Sequence, residues 1–252
     1  MLKKIEGKII NMFKIKLIKK TFLYDVINRL LDKVKPNGIS KYEIKKLLKK
    51  EKPVILEIGA HDGADTIAFL QIIKKVKLYC IEPNPEAISK FKERILELRK
   101  RKRKIDCSLF EIAISDKNGN VEFYLTSKNE YSAQATLKKP KEVSNQSQNI
   151  WENGKTIIVK TKKLDDWVKE QQIKEIDFIW ADVEGAEKEL IKGGLKTLNE
   201  KTRYFYTEFE NKGNFKDRLD LNGILELLPN FKLLKIYENN ALLKNIKLKN
   251  SP

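Results

Sequence analysis

The sequence predicts a doubly wound α/β domain on a mostly parallel sheet with an antiparallel C-terminal strand, preceded by a basic helical appendage. Three observations carry this reading. The first is a hydrophobic run, Val54-Ile55-Leu56, that passes through Glu57-Ile58-Gly59-Ala60-His61-Asp62 and Gly63 into a helical pattern from Thr66 to Lys74. A second apolar run then closes on Glu82-Pro83-Asn84-Pro85, which completes one βαβ unit. The second observation is the buried-strand pattern Ile176–Ala181, followed by Asp182-Val183-Glu184-Gly185-Ala186-Glu187 opening a helix. The third is size: 252 residues, 41% of them hydrophobic, build one large core more readily than two full domains. The expected division is therefore 1–52 for the appendage and 53–252 for the domain.

Each element follows from local pattern. Ile5 to Val34 reads as mostly helical and amphipathic, with Ile9, Met12, Phe13, Ile15, Leu17 and Ile18 set among lysines. After a turn at Pro36-Asn37-Gly38, a helix from about Lys41 to Lys50 leads to the first core strand, Pro53 to Ile58. Asn84 caps and Pro85 starts a helix whose stripe Ile88, Phe91, Ile95 and Leu98 is expected to pack on the sheet. Ile105 to Ile114 and Val121 to Leu125 read as strands around Asn118-Gly119, a hairpin signal. Residues 127–155 are polar, include Lys138-Lys139-Pro140-Lys141, and read as a long loop over the site. Arg203 to Phe209 is a further strand, and Phe231–Ile236 with Ala241–Lys247 forms a last antiparallel pair.

In such a sheet ligands bind outside the carboxyl ends of the strands, so Glu57, Glu82, Ser115, Asp182 and Glu208 are expected to face one crevice. The glycines of the turn let the backbone pass close to a ligand, beside a helix N-terminus that attracts negative charge. Glu82 stands at the end of the second strand, where an acid accepts both hydroxyls of a ribose. Pro83 disfavours helical geometry at Glu82 and holds it extended. His61 occupies the second glycine position of a dinucleotide fingerprint, which disfavours a pyrophosphate.

The E-x-G-x-x-x-G turn, Glu57 to Gly63, resembles the first motif of the class I S-adenosylmethionine-dependent methyltransferases. With Thr161-Lys162-Lys163-Leu164-Asp165-Asp166-Trp167, the Asp182–Glu187 run, Ile112-Ala113-Ile114-Ser115-Asp116 and Val121–Leu125, the chain from about Val54 to Glu208 resembles the FkbM family of methyltransferases. That resemblance implies a Rossmann-like sheet and S-adenosylmethionine as cofactor. Matched to the cofactor's groups, Glu82 takes the ribose diol, the Gly59–Gly63 backbone takes the carboxylate tail, and Ala113 and Ile114 take the adenine. Glu57 orients the turn and the ammonium, and Asp182 faces the methionine portion near the sulfonium. Ala60, His61, Thr66, Pro83 and Asn84 complete the expected cofactor-binding set.

The resemblance also implies O-methylation of a hydroxyl on a sugar, surface glycan or secondary metabolite, often within surface-polysaccharide pathways. An alcohol acceptor loses a proton, and Asp182 is the first candidate to take it, Glu184 the second. Each has a plainer reading, Asp182 as a helix N-cap and Glu184 as an acid favoured in a first helical turn. His61, the only histidine, reads as a contact to the cofactor's tail rather than as the base. A Mg²⁺ pair from Asp182 and Glu208 is conceivable but not favoured, because a further acid is not evident.

Charge and absences narrow the class. Residues 1–52 carry 16 Lys/Arg against 5 Asp/Glu, most of the chain's net +17. Lysines outnumber arginines 45 to 7, a poor composition for bidentate recognition of nucleic acid. The run Arg99–Lys104 reads as a solvated helix end opposing the dipole, with a polyanion site as the alternative. No N/D-P-P-Y/F tetrapeptide or Pro-Cys dipeptide points to methylation of a base amino group or of cytosine C5. No apolar stretch approaches the roughly 18 residues of a spanning helix, and Cys80 and Cys107 lack metal or redox spacing, so a cytoplasmic setting is expected. Two other classes stay open: an RNA-modifying methyltransferase or RNA-binding module using the basic N-terminal helices, and a non-catalytic adaptor whose basic N-terminus lies on an anionic membrane.

Overall fold

Strands buried on both faces need cover on both faces, and Val54–Ile58 (β1) and Ile176–Ala181 (β7) are such strands, with Leu56 and Ile179 both fully buried. They pair in parallel, Leu56 opposite Ile179 and Ile58 opposite Ala181. The structure is a computed structural model that describes residues 38–101, 104–125, 135–137, 156–209 and 219–248. The stretch from Ile5 to Val34, most of segment 127–155, and Lys102 and Arg103 lie outside the described residues.

On one side of β1 follow Lys77–Ile81 (β2) and Asp106–Phe110 (β3), and beyond β7 comes Thr202–Glu208 (β8), all parallel. Asn240–Asn245 (β10) pairs antiparallel with β8, and Phe231–Tyr237 (β9) pairs antiparallel with β10. The order is β3-β2-β1-β7-β8-β10-β9, in which β10 alone runs against the rest. This is the expected doubly wound sheet with its antiparallel C-terminal strand.

Two cores cover its faces. Lys41–Leu48 (α1), Ala64–Ile72 (α2) and Pro85–Arg101 (α3) pack on one face. Leu164–Glu170 (α4), Glu187–Gly193 (α5), Leu195–Lys201 (α6) and Leu221–Leu227 (α7) pack on the other. The α3 stripe Ile88, Phe91, Ile95 and Leu98 is buried as its spacing predicts. Helix α1 belongs to the same core: Ser40 caps it, and Ile39, Ile44 and Leu48 are buried with the side chains of α2 and β1.

The Asn118-Gly119 hairpin is a correction. Ala113–Ile114 (β4) and Gly119–Tyr124 (β5) do not pair with each other, because Thr156–Lys162 (β6) lies between them in a second sheet of order β4-β6-β5. Asn118 spends its side chain elsewhere: its Oδ1 accepts from Lys163 N at 2.8 Å and its Nδ2 donates to Asp166 at 2.7 Å. The apolar run from Ile105 to Ile114 accordingly breaks after Phe110, its first half pairing with β2 and its last two residues with β6. The neighbouring Leu164-Asp165-Asp166-Trp167 motif is structural throughout. Leu164 and Trp167 are core, Asp166 holds Asn118, and Asp165 accepts from Lys196 N and Thr197 N at the start of α6.

Candidate active site

At the carboxyl ends of β1, β2 and β7 the chain leaves a cleft of about 180 Å³ that opens to solvent. Of the residues singled out from sequence, Glu57, Gly59, Ala60, His61, Glu82, Pro83, Asn84, Ala113, Ile114, Asp182 and Glu184 line the cleft. Gly63, Thr66, Ser115 and Glu208 are not among its lining residues. The sequence reading missed Asp62, Asp65, Phe123, Ala135, Leu137 and Val183, which are.

The turn after β1 is shaped by its glycines, and each has a packing reason of its own. Gly59 has φ +87°, and a Cβ there would stand 1.8 Å from the Asp182 carbonyl oxygen. Gly63, φ +79°, would drive a Cβ to 2.8 Å from the Phe91 ring. Both glycines therefore let chain approach chain, β1 against the end of β7 and the start of α2 against α3. Between them His61 is also left-handed, at φ +47°, and its backbone rather than its ring makes the decisive contact: His61 N donates to Glu82 Oε2 at 2.8 Å.

Glu82 receives a second amide from Asn84 N, at 2.8 Å on Oε1. Burial pushes its carboxyl up to about 7, against the lowering effect of those two hydrogen bonds. One backbone donor is thus fixed on each oxygen, which leaves each with a further lone pair able to accept a hydroxyl. Asn84 also caps α3, its Oδ1 accepting from Glu86 N at 3.1 Å.

Glu57 lies deeper. Burial, then the nearby Asp65 charge, pushes its carboxyl up to about 8, while Thr66, Lys41 and Cys80 act the other way. Thr66 Oγ1 donates to Glu57 Oε2 at 2.5 Å, so Thr66 stands behind Glu57 rather than in the cleft. Burial likewise pulls the His61 imidazole below its usual range.

Across the cleft, Asp182 ends β7, its N donating to the Ile58 carbonyl at 2.9 Å. Helix α5 begins only at Glu187, with Ala186 in the N-cap position. Asp182 therefore caps no helix and Glu184 lies in no first helical turn, which removes the plainer readings of both. Residues 183–185 form a turn in which Glu184, φ +48°, and Gly185, φ +97°, are both left-handed. For a residue with a Cβ that geometry costs about 1–2 kcal/mol. Thr136, fully buried, holds it: its Oγ1 donates to the Glu184 carbonyl at 2.6 Å, and its backbone exchanges two hydrogen bonds with Tyr124, at 2.8 and 3.0 Å. Ala135 and Leu137 on either side, with Phe123 of β5, wall the cleft. Among the described residues no group of three or more His, Cys, Asp and Glu side chains is placed to hold a metal ion.

A mostly parallel sheet of this order, a glycine turn after β1 and a buried carboxylate after β2 are the features expected of an S-adenosylmethionine-dependent methyltransferase. The family model described as Methyltransferase FkbM domain matches residues 57–233, and the chain belongs to this family. It is 39% identical over 214 residues, 82% of this chain and 85% of the relative, to the 2-O-methyltransferase NoeI of Sinorhizobium fredii (strain NBRC 101917 / NGR234). The fold matches the crystal structure of methyltransferase FkbM from Methylobacillus flagellatus KT with a TM-score of 0.52 at 14% identity. That match covers 79% of this chain and 45% of the other, so the chain spans under half the length of that structural relative.

Proposed function

We propose that this protein transfers the methyl group of S-adenosylmethionine to a hydroxyl of a sugar or glycan, in the cytoplasm. The observation that carries the reading is its 39% identity, over most of both chains, to a 2-O-methyltransferase. The cleft supports it chemically. When bound, S-adenosylmethionine would supply the methyl carbon as an electrophile, its bond to sulfur breaking as the new C–O bond forms and the neutral thioether leaving with the electron pair.

The protein's part is to hold, align and exclude water. The Glu82 carboxylate, fixed by the His61 and Asn84 amides, holds the ribose hydroxyls. Ala113 and Ile114 present an apolar surface for the adenine, and Phe123, Ala135 and Leu137 keep that side of the cleft dry. Asp182 takes the proton from the acceptor hydroxyl oxygen, leaving the lone pair that attacks carbon. Glu184, held at the same rim by Thr136, orients the acceptor through a neighbouring hydroxyl.

Incubation of the protein with methyl-labelled S-adenosylmethionine and, in parallel, nucleotide sugars, surface-glycan fragments and RNA tests the proposal. Label is expected in a sugar hydroxyl of one of the carbohydrate pools. Transfer to RNA alone would overturn it.

A further inference from the structure

Helix α1 precedes the residues matched to the family, 57–233, and lines no part of the cleft, yet it holds a residue that does. Lys41, its first residue, is fully buried, and its Nζ meets Asp65 Oδ1 at 2.5 Å. The same ammonium lies 3.7 Å from the centroid of the Trp180 ring and 5.2 Å from that of Phe69, aromatic faces that favour a cation. Asp65, in the first turn of α2, lines the cleft and keeps 32% of its side chain exposed. One carboxylate is thus gripped from behind by an immobile cation and opens in front on the ligand space. Glu57 lines the same cleft and feels both partners, repelled by Asp65 and attracted by Lys41.

Stability alone explains such a pair poorly. Burying a lysine and a carboxylate removes two charges from water, and apolar groups of the same size often serve a core as well or better. What the pair does provide is a carboxylate with a fixed direction. The partner that chemistry selects is a cation with hydrogens to donate. S-adenosylmethionine carries two cations, and only the ammonium has N–H donors; the sulfonium has none.

We propose that Asp65, aimed by Lys41, receives the ammonium group of S-adenosylmethionine, so that Lys41 is a positioning residue supplied by the segment before the first core strand. The inference rests on the reading of this cleft as the cofactor site.

The test is calorimetric titration of the full chain with two ligands. S-adenosylhomocysteine keeps the ammonium; methylthioadenosine keeps the nucleoside and sulfur and lacks the amino-acid portion. Asp65→Asn is expected to weaken S-adenosylhomocysteine on the order of 10- to 100-fold, the range of a charged hydrogen bond, while methylthioadenosine stays within about twofold. Lys41→Met is expected to show the same selective loss. The double variant Lys41→Met/Asp65→Asn replaces the pair with neutral groups of similar size, so it is expected to keep the wild-type thermal midpoint and to lose no more affinity than Asp65→Asn alone, because Lys41 acts through Asp65. Equal weakening of both ligands, unchanged affinity for S-adenosylhomocysteine, or a double variant that does not fold would make the pair a structural clamp and overturn the inference. A wild type that binds neither ligand overturns the cofactor-site reading as well, a result distinct from a wild type that binds both beside variants that bind equally well.

Discussion

Glu82 serves ligand and fold with the same two oxygens, and its removal separates the two roles. Glu82→Ala takes away the acceptor of a diol and orphans the amides of His61 and Asn84. Affinity for S-adenosylhomocysteine is expected to fall by about 1.5–3 kcal/mol by calorimetry, and stability by about 1–3 kcal/mol by urea titration. A variant that loses affinity with no loss of stability would mean the amides find other acceptors. Acid–base linkage gives a second test. Burial raises Glu57 to about 8 and Glu82 to about 7, both above the usual 4.5. Between those limits the folded protein holds more protons than the unfolded chain, so the stability of the ligand-free protein is expected to fall as pH rises from about 5 to about 8. Glu57→Gln should flatten the upper part of that fall in a thermal-midpoint series. Affinity for S-adenosylhomocysteine should rise as Glu82 ionises toward about 7, since the ribose hydroxyls donate to its carboxylate. Asp182 gives the mechanistic test. Because Asp182 caps no helix, Asp182→Asn alters the carboxylate's charge and basicity without unmaking a helix start. Turnover of a labelled acceptor is expected to drop by about 10²–10⁴ with cofactor affinity near wild type; full activity would take Asp182 out of the proton step.

At the level of elements, strands were the most legible features and connections the least. Ile176–Ala181 is a strand with the bounds its apolar run implies, and Phe231–Tyr237 pairs with Asn240–Asn245 as expected. The first is read well because burial on both faces leaves a continuous hydrophobic signature. The Asn118-Gly119 turn misled because a favourable turn sequence says nothing of which strand comes to lie beside it, and here β6, more than thirty residues on, takes the place of the expected partner. Asp182–Glu187 misled in the same way: an acid before a helix looks like a cap until the helix proves to begin at Glu187. The cleft's glycine turn and its two strand-end acids were legible from spacing. Asp65 was not, because its role depends on Lys41, 24 residues earlier. Nor was the Ala135-Thr136-Leu137 strap, three residues within a polar stretch, whose only sequence sign is a pair of apolar residues around a threonine. Thr136→Val keeps the shape of that strap and removes the donor to the Glu184 carbonyl. A loss of about 1–3 kcal/mol is expected in urea titration, since the Glu184 carbonyl loses its buried hydroxyl donor, and Thr136→Ser should restore most of it. Equal stability in all three proteins would show that the turn holds itself.

For the whole molecule, a sheet covered on both faces still ends in an edge. Strand β9 exposes Leu233, Leu234 and Ile236, but Lys232 and Lys235 lie on the same strand and the ladder is irregular at Leu242/Leu243, features that discourage pairing with another chain. The opposite question is where the foldable unit begins. No residue that lines the cleft precedes Glu57, so the lining alone would allow a cut at residue 52. Packing does not. Ile39, Ile44 and Leu48 are buried in the α1–α2–α3 core, Lys41 is fully enclosed, and Glu43 accepts from Tyr237 and Lys235 at the far side of the sheet. At about 1.5–3 kcal/mol for each buried apolar side chain, those three alone approach the 5–15 kcal/mol by which a typical domain is stable. A protein shortened to begin at Gly38 is therefore expected to fold and to bind S-adenosylhomocysteine as the full chain does, within about twofold by calorimetry. One shortened to begin at Pro53 is expected to lose its cooperative thermal transition, or to melt far below the full chain. Full stability in the shorter protein would return α1 to the status of an appendage, whereas loss of binding in the longer one would bring residues 1–37 into the site.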